Sequence, residues 1–217
     1  MKIKNNKLIF QTMCILISSI FLFLLLIALI LNPWSSAYPD AIINNPLSYN
    51  YGVPQTKIAT QQLLSYIWFG SNYTVELSQQ AQAHMSDVRK LFVVGQICFF
   101  MTLILTFWLL HSQTAEEKKK ILRISAYANI LLLAIIGVFA FFDFNAAFIS
   151  FHKLFFSNQL WLFPANDSLV IYFPDIFFKS VFISIVFWFI ACCCTIIVFT
   201  SNWTKKRLHS GEAAQHI

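Results

Sequence analysis

Four long apolar runs, each edged by polar or charged residues, set the pattern of this chain. Leu8 to Leu31 is interrupted only by Gln11, Thr12 and two serines, and it follows a head carrying three lysines. Leu91 to Leu110, Ile124 to Phe142 and Ile176 to Phe199 are the other three. About 20 apolar residues in a helix cross a hydrocarbon core of roughly 30 Å, so each run predicts a spanning helix. The first run has a rival reading as a cleaved signal peptide, with Ser35-Ser36-Ala37 as the cleavage site. Signal cores hold about 7–15 apolar residues, and the longer run here favours a retained helix.

Two connections are too long to be simple turns. In Asn32 to Lys90, four prolines (Pro33, Pro39, Pro46 and Pro54) predict irregular structure through the first half. Thr56 to Phe69 then predicts a helix with Ile58, Leu64, Ile67 and Trp68 on one side, stopped by Gly70. A second helical stretch starts near Ser78 and continues past His84 and Asp87 into the Leu91 run. His111 to Arg123 reads as a short basic link. Asp143 to Asp175 is the other long connection, with Phe144, Phe148, Phe151 and Phe155 at helical period, a greasy stripe suited to a membrane interface.

Lysines and arginines concentrate in the head, the link and the segment after Phe199, and they are sparse in the long connections. The positive-inside rule therefore places both termini in the cytoplasm and residues 32–90 and 143–175 outside. The expected fold is an all-α membrane protein: a single integral domain of four transmembrane helices (about 8–31, 91–110, 124–142 and 176–199). The two extracellular segments would form a cap over the outer mouth.

Composition agrees. Of the 217 residues 58% are hydrophobic and 11% charged, against roughly 25% charged in soluble domains. The net charge of +6 belongs to the topology signals rather than to a groove-binding stripe, which argues against nucleic acid and for membrane lipids as the surroundings. All five cysteines lie inside apolar runs, so a disulfide framework is not expected, and the Cys192-Cys193-Cys194 run reads as packing.

Two histidines, His84 and His152, fall in the outer connections. His84 stands seven residues, or roughly 10 Å, outside Leu91 on a continuous helix. Asp87 lies three residues on, on the same face. His152 sits at the edge of the phenylalanine stripe beside Asn145 and Ile149, at a similar depth. A single interfacial histidine often only snorkels its polar edge, but two at matching depth could act as base and acid near neutral pH. Zinc held with Asp87 or Asp167 is an alternative, without an HExxH pattern to support it, and no GxSxG elbow signals serine acyl transfer. Asp87, Asp143, Asp167 and Asp175 can each orient an imidazole or cap a helix. Arg89 can hold a phosphate or oxyanion, or simply anchor the interface.

His84-Met85-Ser86-Asp87-Val88-Arg89 before a spanning helix, then Phe151-His152, Trp161, Phe163, Asp167, Leu169, Phe173, Pro174 and Phe178, resembles one family of Gram-positive bacteria, the lipoprotein intramolecular transacylases. The likeness covers nearly the whole chain, with Asp175 standing where a glutamate would be expected. It implies a membrane acyltransferase that moves the sn-2 acyl chain of a diacylglyceryl lipoprotein to the α-amine of its N-terminal cysteine, leaving the lyso form. It implies no cofactor and no metal, and points to His84 and His152 as the catalytic pair. Asp87, Arg89, Asp143, Asn145 and Asp167 would orient them or stabilise an oxyanion, and Phe148, Phe151, Phe155 and Trp161 would line an acyl pocket. The competing classes are a membrane chaperone or channel subunit, and a metal-dependent membrane hydrolase.

Overall fold

The computed structural model describes the backbone of residues 2–30 and 53–213, with side chains over 9–25 and 55–201. Pro33, Pro39, Pro46 and the Ser35-Ser36-Ala37 site lie outside the described residues. The described residues form helices and no strand: α1 (Lys2–Ile30), α2 (Val53–Phe69), α3 (Gln79–His111), α4 (Ala115–Phe142), α5 (Phe144–Phe155), α6 (Ser168–Tyr172) and α7 (Asp175–Ala213). Three of them are long and apolar enough to cross a membrane: α3, α4 and α7 over Asp175–Ser201. In α1 the described apolar stretch is Ile9–Leu25. Phe107, Phe141, Phe142 and Phe199 are among the large side chains exposed on the spanning helices, as a lipid-facing surface requires.

Helix α3 has 33 residues, which at 1.5 Å per residue makes it about 50 Å long, well beyond a 30 Å hydrocarbon core. Its apolar part is Leu91–Leu110. The polar first turns, Gln79 to Lys90, project beyond the spanning segment and carry His84. Helix α4 begins nine residues before its apolar run, inside what the sequence suggested was a link. The cause is a capping box: the Glu117 carboxylate accepts from Thr114 N–H (3.1 Å) and Thr114 Oγ1 accepts from Glu117 N–H (3.3 Å).

The chain divides into two compact units. One comprises residues 1–26, 99–135 and 187–217. In it Cys14, Leu109 and Ile121 form a buried cluster, and polar groups join the helices. Ser125 Oγ donates to the Ile15 carbonyl (3.1 Å), and Asn129 Nδ2 donates to the Ser19 carbonyl (3.2 Å). Such bonds hold helices together in lipid, where burial of apolar surface discriminates little between helix and solvent. The cysteines are all free thiols, in keeping with their place in apolar helices.

The other unit comprises residues 27–98 and 136–186. Its core is Leu63, Leu64, Ile67, Ala81, Met85, Leu169, Phe177 and Val181, drawn from α2, α3, α6 and α7. Burying a leucine as completely as Leu63, at 0% exposure, is worth about 2–3 kcal/mol. The buried stripe of α2 is Thr56, Ala59, Thr60, Leu63, Leu64 and Ile67, while Ile58 is 55% exposed. The expected side was thus partly wrong: threonines replace Ile58 on the inner face because Thr60 Oγ1 donates across to the Tyr172 carbonyl (3.0 Å). Pro54, expected in irregular chain, is the second residue of α2, where its fixed φ is compatible with the first helical turn. Gly70 ends α2 with φ +74, as a glycine after a helix commonly does.

Candidate active site: two facing imidazoles

The site is built within the second unit from three pieces of chain: the first turns of α3, helix α5, and the turn of residues 156–163. Asp143 starts α5 by accepting from Ala146 N–H (2.9 Å), an N-cap worth about 1 kcal/mol. The helix then places Phe148, His152 and Phe156 four residues apart on one side, with Phe156 N–H closing the last turn on the His152 carbonyl (2.8 Å). On α3, the residues neighbouring His84 (Ala81, Met85 and Val88) pack into the core, which fixes the rotation of that helix.

The two imidazoles meet. Their ring centroids are 6.0 Å apart with the planes tilted by 32°. His84 is 6% exposed and His152 7%. Aromatic rings surround them: Phe156 and Phe163 stand 5.2 and 5.6 Å from His84, and Phe148 and Trp161 stand 4.2 and 5.0 Å from His152. The His152 Nδ1–H donates to the Phe148 carbonyl at 2.8 Å. A carbonyl can only accept, so the neutral ring carries its hydrogen on Nδ1 and presents Nε2 as a base. His84 Nδ1 is buried and has no hydrogen-bond partner among the described residues, an uncommon state for a buried polar atom outside a reactive site.

Burial pushes the His84 imidazole down to about 4, helped by the neighbouring His152 and opposed by the Asp87 carboxylate. Burial lowers His152 as well, against the hydrogen bond to Phe148. Both rings are therefore neutral at pH 7, and a cation on either would sit in a dry aromatic surround. Hydrogen bonds from Lys90 and Asn158 hold Asp87 below the usual carboxylate range.

The other expected residues divide. Asp87 is one turn from His84; its oxygens accept from Lys90 Nζ and Asn158 Nδ2, each at 2.9 Å. Phe148, Phe151 and Trp161 lie against His152, Phe151 edge-on at 5.5 Å, whereas Phe155 packs on Phe151 at 4.8 Å, and both of these rings are half-exposed. Asp167 caps α6 through Leu169 N–H (2.9 Å) and accepts from Ser78 Oγ (2.8 Å). Asp143 serves as the α5 cap, and Asn145 is exposed in its first turn. Arg89 is committed to the end of α2: its Nη1 donates to the Tyr66 carbonyl at 2.6 Å, and the guanidinium lies 5.3 Å over the Tyr66 ring. Among the described residues, no three histidine, cysteine or acidic side chains come together to hold a metal ion.

Three contributors escaped the sequence analysis. Phe156 continues the spacing of Phe148 and His152 by one more turn and could have been found that way. Asn158 and Gln80 could not, since they act through contacts between segments 71 and 80–82 positions apart.

The model of one family, described as lipoprotein intramolecular transacylase Lit, matches residues 11–178. The solved structure of the membrane integral lipoprotein intramolecular transacylase Lit from Bacillus cereus is similar to this chain, with TM-score 0.78 and 20% identity, over 92% of this chain and 98% of that one. Two variants of that protein, each with one histidine replaced, by arginine or by alanine, give TM-scores of 0.77 and 0.79 at 18% and 16% identity. They cover 96% and 95% of this chain, and 98% and 97% of theirs. No match was found among curated protein sequences. At these identities the solved structures speak for the fold.

Proposed function

From the premise that this chain belongs to the lipoprotein intramolecular transacylase family, we propose that His84 and His152 are the proton-transferring pair of an acyl transfer within one lipoprotein molecule. The substrate carries a diacylglyceryl group and a free α-amine on its N-terminal cysteine. The amine nitrogen attacks the sn-2 ester carbonyl, the new C–N bond forms as the C–O bond to glycerol breaks, and the product is the N-acylated lyso form.

The observation that carries this reading is the pair of buried imidazoles facing each other at 6.0 Å. An α-amine with a pKa near 7.7–8.0 is mostly protonated at pH 7, but roughly a tenth or more of it is neutral and nucleophilic, so a modest base suffices. Once it attacks, the nitrogen becomes strongly acidic and must lose a proton, while the departing glycerol oxygen must gain one. His152 Nε2, freed by the bond from Nδ1 to Phe148, suits the first step. His84, whose Nδ1 has no partner among the described residues, suits a hydrogen bond to substrate and return of a proton to glycerol. Proton transfer by positioned groups of this kind contributes about 10²–10⁴-fold. Much of the remaining acceleration comes from holding amine and ester together on one molecule. The rings of Phe148, Phe151, Phe155 and Trp161 supply an apolar surface for the acyl chain. Asp87, Arg89, Asp143 and Asp167 support this arrangement as caps and ties, and Asn145 lies exposed in the first turn of α5.

The positive-inside distribution of lysine and arginine supports four spanning helices with both termini cytoplasmic. On that topology α2, α5, α6 and the first turns of α3 form an outer cap, and the imidazoles lie on the extracellular side, where a lipoprotein amine is presented.

The test uses the purified full-length protein and a synthetic diacylglyceryl lipopeptide, with product mass and fragmentation as the readout. His84→Ala and His152→Ala are each expected to abolish lyso-form product while the protein still purifies as a folded species. Normal product from both variants would refute the assignment.

A further inference from the structure

One residue of the turn after α5 makes three hydrogen bonds that together connect the two imidazoles' supports. Asn158 Nδ2 donates to Asp87 Oδ2 at 2.9 Å. Its Oδ1 accepts from Leu160 N–H at 3.0 Å. Its backbone carbonyl accepts from the Trp161 indole Nε1–H at 2.9 Å, and that indole lies 5.0 Å from the His152 ring with the planes tilted by 33°. Asp87 is three residues after His84 on α3, so the carboxylate and the imidazole share a helix face. A mechanical chain follows: His84, one turn of α3, Asp87, Asn158, Trp161, His152. Gln80, one turn before His84, fastens the same segment a second time by donating to the Leu160 (3.2 Å) and Leu162 (2.8 Å) carbonyls.

We propose that Asn158 is a positioning residue of the acyl transfer, tying the Trp161 turn to the helix of His84 and thereby holding His152 at its working distance from His84. The proposal rests on the histidine pair being the reacting groups. The chemistry of the amide is what the place demands. It must donate to a carboxylate on one side and accept a backbone N–H on the other, which alanine cannot do and aspartate can do only in part. An ordinary loop asparagine would satisfy its own turn through Oδ1. Here Nδ2 reaches across 71 positions to the catalytic helix, and the Lys90 ammonium occupies the other Asp87 oxygen, so the carboxylate is anchored from both sides.

The experiment compares the full-length wild type with Asn158→Asp, Asp87→Asn and the double variant Asp87→Asn/Asn158→Asp, in one detergent and with the same lipopeptide. Asn158→Asp sets two carboxylates against each other at about hydrogen-bond distance, which one of them must relieve by moving or taking a proton. The expected result is a loss of about tenfold or more in kcat with KM within about twofold, the signature of a group that shapes the reaction without holding substrate. The double variant reverses the bond: the amide on α3 donates to the carboxylate in the turn, which still accepts from Leu160. Its kcat is expected to return to within about threefold of wild type, a non-additivity that only direct coupling produces. Should Asn158→Asp fail to fold, Asn158→Ser, too short to reach Asp87, takes its place with the same expected loss. Wild-type kcat in the single variant, or a double variant no faster than Asn158→Asp, overturns the proposal. His84→Ala and His152→Ala run alongside. Product from both removes the histidine reading itself, whereas histidine variants that give no product beside a fully active Asn158→Asp remove only the role of Asn158.

Discussion

Acid should loosen the unit that holds the two imidazoles, and the structure says by how much. In the unfolded chain His84 takes a proton near 6.5, but in the folded protein only near 4. Between those values the unfolded state binds the extra proton, so stability rises with pH. The sign follows: the contribution is complete above 6.5 and is lost as the pH falls towards 4. At pH 5 the loss is about 2 kcal/mol for His84 alone, and about 3 kcal/mol once the pH has passed 4. For a protein of this size 1 kcal/mol moves Tm by about 2–4 °C, so pH 5 should cost about 4–8 °C more than other groups account for. The comparison is wild type against His84→Phe, which keeps an aromatic ring among Phe156 and Phe163 but cannot titrate. Melting is followed in one detergent at pH 7.5 and pH 5. The wild type should lose more Tm over that interval than the variant, by the 4–8 °C worked above. Parallel losses in the two proteins would refute the assignment of a buried, neutral His84.

Two further outcomes follow from the same geometry. The acid limb of kcat/KM should follow the substrate's α-amine, near 7.7–8.0, since both histidines are held below their ordinary value; a limb that stays near 6.5 when the amine's own pKa is changed by substrate design contradicts this. Gly70→Ala should lower Tm through about 2–4 kcal/mol of destabilisation, because φ is +74 and the added carbon would fall on the Arg89 guanidinium, displacing it from the Tyr66 carbonyl; a thermal shift assay reads it, and an unchanged Tm contradicts it.

Much of the site was legible in one dimension because its two central groups ride on periodic elements. His84 is a fixed number of turns from an apolar run, and His152 sits at the edge of the phenylalanine stripe, so helical spacing alone suggests a similar depth for both. The family resemblance then joined them. What could not be read were contacts that cross between segments without periodicity. Arg89 is open in sequence to two readings, a phosphate or oxyanion ligand and a plain interfacial anchor; its partner in the fold is the carbonyl end of α2, and the backbone turn at Gly70 makes room for it. The inner face of α2 was misjudged at Ile58 because hydrophobicity was the only guide, while Thr60 earns its burial by a hydrogen bond to a carbonyl 112 positions away. Pro54 and the start of α4 show a different limit, since each signal (proline, and a run of charge) also belongs to a helix's first turn.

The unbroken α3 acts as a gauge between membrane and chemistry. Its apolar part is pinned by the thickness of the bilayer, and there is no joint between that part and His84. Adding or removing one residue among positions 85–90 would therefore turn the imidazole by about 100° and shift it by about 1.5 Å. It would face away from α5. Seven residues would nearly restore the direction but lift the ring about 10 Å farther from the lipid. A change of side chain at one of these six positions leaves the height of the ring above the apolar run unaltered, whereas their number fixes it.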